Sequence, residues 1–262
     1  MVFKTHRFEL FVGMIFTSLL TLLLIEKWMT EEFIPVVKSE KVNVFKDLVE
    51  SYKVVVKDKK FMIFSIASIL VLALEFQRNN FVAVRLEKEF PTKLLSFFGN
   101  WELKIDGIRM LSLLTTENTL IIVLFTIMIA NWIKHKKELP LLYLGALIQA
   151  VGFGVMSFHN MVTILFIASF VQTIGEMIYV PVHQTIMADI IDDQARGAYM
   201  AINGLVFQGA KMLGALGLIL GSVVGGMGMA IIYLLIALLS ILLFKIALQP
   251  KSSIKKEQSF EG

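Results

Sequence analysis

Gln172, Glu176, Tyr179 and His183 follow one another at steps of four, three and four residues in "VQTIGEMIYVPVHQTIMADI". On a helix that spacing places all four on one side. A helix polar on one stripe and apolar on the other faces a cavity or a bundle interior. Glu75 and Arg78, in "LEFQRNNF", stand three residues apart. They are close enough on one helical face either to pair with each other or to line a polar translocation cavity. Lys211, in "GLVFQGAKMLG", is an isolated cation in an apolar run. At a rise of 1.5 Å per residue, Glu176 lies about 18 Å from the nearer end of its run and Lys211 about 21 Å along the next. Matched depth makes a buried ion pair available, so Glu176 is either half of a structural pair or a substrate- or proton-coupling group.

These side chains sit in very apolar surroundings. Hydrophobic residues make up 56% of the 262 and charged residues 18%, below the roughly one quarter usual in soluble domains, and the mean hydropathy is +0.75. A bilayer core needs about 20 apolar residues per helix. Seven stretches meet or approach that length: Phe8 to Trp28, Phe61 to Val84, Leu111 to Ile133, Leu139 to Phe158, Met161 to Ala188, Tyr199 to Val224 and Met227 to Leu248. The expected fold is an all-α integral membrane bundle of about seven transmembrane helices. Residues 1–28 form the first of them, 29–60 a charged linker, 61–249 a six-helix bundle and 250–262 a disordered tail. The first run is too long for a signal-peptide core, and "IEKWMTEEF" stands where a small-residue cleavage site belongs, so it is expected to remain. In the linker, Val44, Leu48, Tyr52 and Val55 recur at helical spacing, the pattern of an amphipathic surface helix. The segment "FPTKLLSFFGNWELKIDGIRM" is too charged to span and is expected to be a folded outer loop.

Orientation follows from the basic residues. With the N-terminus outside, the inner loops hold 16 Lys and Arg and the outer side 7. The expected location is therefore a multi-pass protein of the cell membrane with a cytoplasmic C-terminus.

Gly214, Gly217, Gly221 and Gly225 recur every three to four residues, a stripe of small residues that lets a neighbouring helix approach closely. Other chemistry is not indicated. Cysteine is absent, the four histidines lack ligand spacing, and no nucleophile–base grouping or phosphate-cradling glycine loop appears. No enzyme activity, metal or cofactor is expected. The net charge of +4, without a basic helix interleaved with aromatics, argues against a nucleic-acid partner. The expected partners are the lipid bilayer and a small-molecule substrate.

The stretch "GEMIYVPVHQTIMADIIDDQARGAYMAINGLVFQGAKMLG" resembles the drug-efflux branch of the major facilitator superfamily, the drug:proton antiporters. The likeness lies in Gly175-Glu176, in Pro181 a turn later, and in a short acidic loop, Asp192 and Asp193, closed by Arg196-Gly197 and followed by Tyr199-Met200. A glycine-rich helix comes next. "LLTTENTLIIVL" is similar as well, with Asn118 resembling an asparagine that opens the family's eighth helix. The resemblance covers the chain as the C-terminal half of such a protein. It implies proton-coupled efflux of small amphipathic compounds by two bundles, with Asp192, Asp193 and Arg196 as a gating loop. It also implies that a missing N-terminal half or a second copy is needed for transport. Uptake by the same fold, and a non-transporting module acting through association with another chain, remain open.

Overall fold

The computed structural model describes residues 7–28, 44–97 and 101–249. The chain forms two units, 1–44 and 45–262. The first contains helix α1, Arg7–Trp28, on which Phe8, Phe11, Ile15, Leu19, Leu22 and Ile25 are exposed. Its Thr17, Ser18 and Thr21 hydroxyls donate to carbonyls three or four residues back. Bonding of this kind lets a hydroxyl sit in an apolar helix without an outside partner. Part of the expected linker, 29–43, and the tail from 250 onward lie outside the described residues.

The second unit begins within α2, Val44–Lys57, which is the amphipathic helix expected there. Val55 is fully buried with Phe61, Ala198, Tyr199 and Ile202. Helix α3, Lys59–Phe76, is started by Asp58, whose carboxylate accepts the Phe61 amide at 3.1 Å. The same carboxylate accepts the Tyr199 hydroxyl at 2.9 Å.

Expected to end near Val84, this element instead continues through one π-helical turn, Arg78–Val82, into α4, Ala83–Glu89. The Val82 amide bonds the Gln77 carbonyl five residues back at 2.9 Å, the spacing that defines a π turn. The extension holds because Arg85, counted as a loop cation from sequence, is buried with its donors satisfied. It donates to the Met156 carbonyl at 2.9 Å, to Asn160, and to Glu89 at 3.2 Å.

The outer loop is an antiparallel hairpin of β1, Lys93–Phe97, and β2, Trp101–Ile105, with Lys93 opposite Ile105. Helix α5, Gly107–Ile133, is capped by Asp106, which accepts the Arg109 amide at 2.9 Å. It starts four residues before the expected span because a β-carbon at Gly107 would stand 1.9 Å from the Leu86 carbonyl; glycine lets α5 begin flush against α4. Then come α6, Glu138–Met156, and α7, Val162–Ile190, with Pro181 inside it.

Helix α8, Arg196–Ala247, consists of two helical arms that meet at Gly225, whose φ of +71° and ψ of −179° are not helical. Its contacts show that the chain reverses there. Tyr199, Gly209, Gly214 and Gly221 meet Phe61, Ile69, Phe76 and Phe81 in ascending order, whereas Tyr233 and then Phe244 meet Gln77 and then Phe64. The two arms, 196–224 and 226–247, are the two spans expected from sequence. Gly225 therefore differs from its expected role. It is exposed and faces open space, and it supplies a backbone geometry open almost only to glycine. Gly214, Gly217 and Gly221 do pack, against Phe76, Gln77 and Phe81.

Five helical elements among the described residues are long and apolar enough to cross a membrane: 59–89, α5, α6, α7 and α8. Large apolar side chains cover their outer faces, as on Leu120, Val123, Leu124 and Ile127 of α5. Against water such a surface drives aggregation, whereas against lipid it is the stable arrangement.

Candidate functional site

The polar residues of the bundle converge on α7. The π turn carries Arg78 inward, to 8% exposure, and its Nη2 donates to Gln172 Oε1. One helical turn on, Gln172 Nε2 donates to Glu176 Oε2 at 3.0 Å. From α5, the Asn118 amide donates to the same Glu176 oxygen at 3.1 Å and to the Thr173 hydroxyl at 2.8 Å. The Thr173 hydroxyl donates in turn to the Ser169 carbonyl at 2.8 Å. A guanidinium, two amides and a carboxylate thus form one chain across three elements.

Three carboxylates, Glu176, Glu117 and Glu75, interact electrostatically with Arg78, and none reaches it within ion-pair distance. Its Nη1 has no hydrogen-bond partner, nor has one buried oxygen of Glu117 or either end of the Gln149 amide. Unsatisfied buried polar atoms are rare in folded proteins and mark places where a structure holds something besides stability.

Two cavities, each of about 280 Å³, flank the α7 wall formed by Val180 and Gln184. The first, between α5 and α7, exposes Glu176 among Ile122, Thr126, Ala130, Met177 and Pro181. The second, between α3, α7 and α8, is lined by Ser68, Glu75, Tyr179, His183, Asn203 and Phe207. Ser68 and His183 hydrogen-bond at 2.7 Å, and the imidazole stacks on Phe64 and Tyr179.

The structure therefore splits the α7 stripe. Gln172 and Glu176 belong to the Arg78 network, while Tyr179 and His183 belong to the Glu75 cavity. Glu75 and Arg78 form no local pair, because Arg78 is turned to Gln172. The Glu176–Lys211 pair is also absent. Lys211 is exposed, with its ammonium 4.5 Å from the centre of the Phe207 ring, and the Glu176 carboxylate is held by amides. The stripe of glycines packs α8 onto α3, which leaves Lys211 off that contact. In the acidic loop, Arg196 and Asp193 stand 3.6 Å apart at the surface, a geometry worth little to stability.

Asn118 lies midway along α5 rather than opening it. Glu117, Gln149 and Arg85 were not singled out from sequence. Glu117 carried a readable signal, an acid well inside an apolar run, but Gln149 looks like any helix glutamine until its burial is known.

A family model described as Major Facilitator Superfamily matches residues 102–261. The "Na(+), Li(+), K(+)/H(+) antiporter" of Planococcus maritimus is 25% identical over 221 residues, 81% of this chain and 52% of that protein. Crystal structures of a POT family transporter, in complex with 5-aminolevulinic acid and with a thioalcohol-conjugated peptide, each share a TM-score of 0.55. They cover 92% of this chain and 53% of theirs at 14% and 15% identity, a likeness of fold. The chain spans about half the length of these relatives. With the family model matched over more than half of its residues, and with polar groups gathered inside an apolar helical bundle, the chain belongs to the Major Facilitator Superfamily.

Proposed function

We propose that the chain serves proton-coupled secondary transport, the export of a small amphipathic compound in exchange for protons, with Glu176 as the proton-carrying group. The observation that carries this reading is the setting of Glu176. One oxygen is held by Asn118 and Gln172, which stabilise its charge, and the residue also faces a cavity that gives a proton a route to and from water. A carboxyl buried on one side and accessible on the other can change protonation without unfolding its surroundings.

Transport in this fold uses a second bundle rocking against the first; a second copy or a further six-helix segment is its proposed source. The orientation is N-terminus outside and C-terminus cytoplasmic, which makes Asp192, Asp193 and Arg196 an inner loop placed to gate that rocking.

A monovalent metal cation as the exported species is the second reading, favoured by the cation/proton antiport for which the Planococcus relative is named. Membrane vesicles from cells expressing the gene, energised to hold a pH gradient, test both. Na⁺ or K⁺ on one side and small organic cations on the other should separate the two readings by which of them collapses the gradient. Glu176→Gln is expected to abolish the response, and a native response in that variant would remove Glu176 from the proton path.

A further inference from the structure

Helix α2 meets the bundle with one face. Val55 is fully buried with Phe61 of α3 and with Ala198, Tyr199 and Ile202 of α8, and Tyr52, one turn back, is half-buried against the same group. At about 100° per residue, Lys53 and Lys57 stand on the side opposite Val55. Both are exposed. Val54 and Val56 occupy the two flanks, at 52% and 58% exposure, and the sequence makes those flanks different. One turn before Val54 stands an exposed acid, Glu50. Val49 and Phe45 precede Val56 by seven and eleven residues, which continues an apolar edge at helical spacing.

The position of this helix relative to the bilayer follows from what it is joined to. It ends at Asp58, whose extended backbone, φ −72° and ψ 91°, turns the chain directly into the membrane-crossing element 59–89. Ile66, 48% exposed on that element, lies seven residues past Lys59, about 10 Å along the axis. The headgroup layer beside a bilayer core is about 5–8 Å deep, so α2 ends at its level. Between residues 50 and 60, the four lysines Lys53, Lys57, Lys59 and Lys60 outnumber two acids, and one of those, Asp58, is occupied by the Phe61 amide and the Tyr199 hydroxyl. All four lysines are exposed, and none is in an ion pair among the described residues. An apolar edge beside unpaired lysines at headgroup depth is complementary to an anionic phospholipid surface. Valines enter the acyl boundary there while lysine stems carry their charge to the phosphates.

We propose that anionic phospholipid headgroups hold α2 to the membrane through Lys53, Lys57, Lys59 and Lys60, and that this attachment braces the starts of α3 and α8. The brace works by contact. Val55 presses on Phe61 and Tyr199, whose rings meet edge to face at 4.7 Å. The Asp58 carboxylate ties the first turn of α3 to the Tyr199 hydroxyl of α8. Headgroups that fix α2 therefore fix where both helices begin. Lipid charge acts here through none of the residues of the Arg78 network.

The chain contains no cysteine, so Val56→Cys and Val54→Cys can each carry a single nitroxide in the purified full chain, placed in nanodiscs of phosphatidylcholine with or without phosphatidylglycerol. Collision with oxygen reports lipid, and collision with a neutral nickel chelate reports water. Phosphatidylglycerol is expected to cut the chelate collisions of the Val56→Cys label several-fold while the Val54→Cys label stays in water, and high salt should reverse the change. Lys53→Gln combined with Lys57→Gln should weaken the attachment by about fivefold per lysine, whereas Lys134→Gln combined with Lys136→Gln should leave it native. Phosphatidylglycerol should also raise the thermal stability of the native chain; Val55→Ala should keep its label protected and lose that gain. A Val56→Cys label equally exposed or equally shielded in the two lipids, or native behaviour of the Lys53→Gln, Lys57→Gln variant, overturns the attachment. The same shielding by dissolved glycerol phosphate in phosphatidylcholine alone assigns the lysines to a soluble anion and overturns the membrane contact. A full stability gain in Val55→Ala overturns the brace.

Discussion

Lys211 and Arg78 are both cations within apolar sequence, and the structure treats them oppositely. Lys211 is exposed and rests on Phe207, whereas Arg78 is buried and anchors the chain to Glu176. Lys211→Met is therefore expected to shift stability by no more than about 0.5 kcal/mol, as surface changes usually do. Arg78→Met strands Gln172 and leaves three acids without their cation, and breaking a buried charge network typically costs about 3 to 5 kcal/mol. Thermal unfolding in detergent distinguishes the two; equal losses would mean that Lys211 does have a buried acidic partner. The rise per residue puts Glu176 and Lys211 at similar distances from the loop that joins their helices. It could not supply the rotation of each helix about its axis, and rotation decides which neighbour a side chain meets. The grouping of Gln172 with Glu176 survived because four residues on one helix share a face whatever lies opposite.

Among the elements, α8 shows how much a pattern of glycines says and where it stops. A β-carbon at Gly221 would come 2.1 Å from the Phe81 ring, while at Gly204 it would meet nothing within 4 Å. Gly221→Val is expected to destabilise by about 1–3 kcal/mol through overpacking. Gly204→Ala should be neutral or gain about 0.5–1 kcal/mol, since glycine inside a helix is entropically unfavourable. Melting temperatures of the two variants check this, and equal values would mean that α8 does not press on α3 at Gly221. The same stripe misled at Gly225, because a repeat of small residues marks closeness without marking where a helix turns. The hairpin of β1 and β2 was hidden for a related reason. Five-residue strands rich in lysine and glutamate carry too little periodicity to be told from a charged loop.

At the scale of the molecule, the spans were legible because a bilayer demands long apolar runs, and the six expected beyond α1 fall on the five long apolar elements, two of them on the arms of α8. Their ends were not, since Gly107 and Arg85 lie outside the apolar windows and are fixed by contacts with Leu86, Met156 and Asn160. The basic asymmetry gives a topological prediction. α5 alone is 27 residues, about 40 Å at helical rise, and it separates the hairpin from the turn at Lys137. A reporter fused after Lys137 or after Gly262 should be cytoplasmic, and a tag at Gly99 should react with an impermeant reagent on intact cells. A protected Gly99 tag would invert the orientation.

The π turn at Arg78–Val82 also has a genetic reading. A π turn is one residue more than an α-helix needs, so everything after Val82 is set out of register with α3 by one position. Loss of a single codon, Asn79 for instance, would leave a smoother and more regular helix. It would also rotate α4 by about 100°, carrying Arg85 away from Met156 and Asn160. In this stretch an in-frame deletion is therefore far more disruptive than a point change, and the number of residues between Arg78 and Arg85 matters as much as their identity.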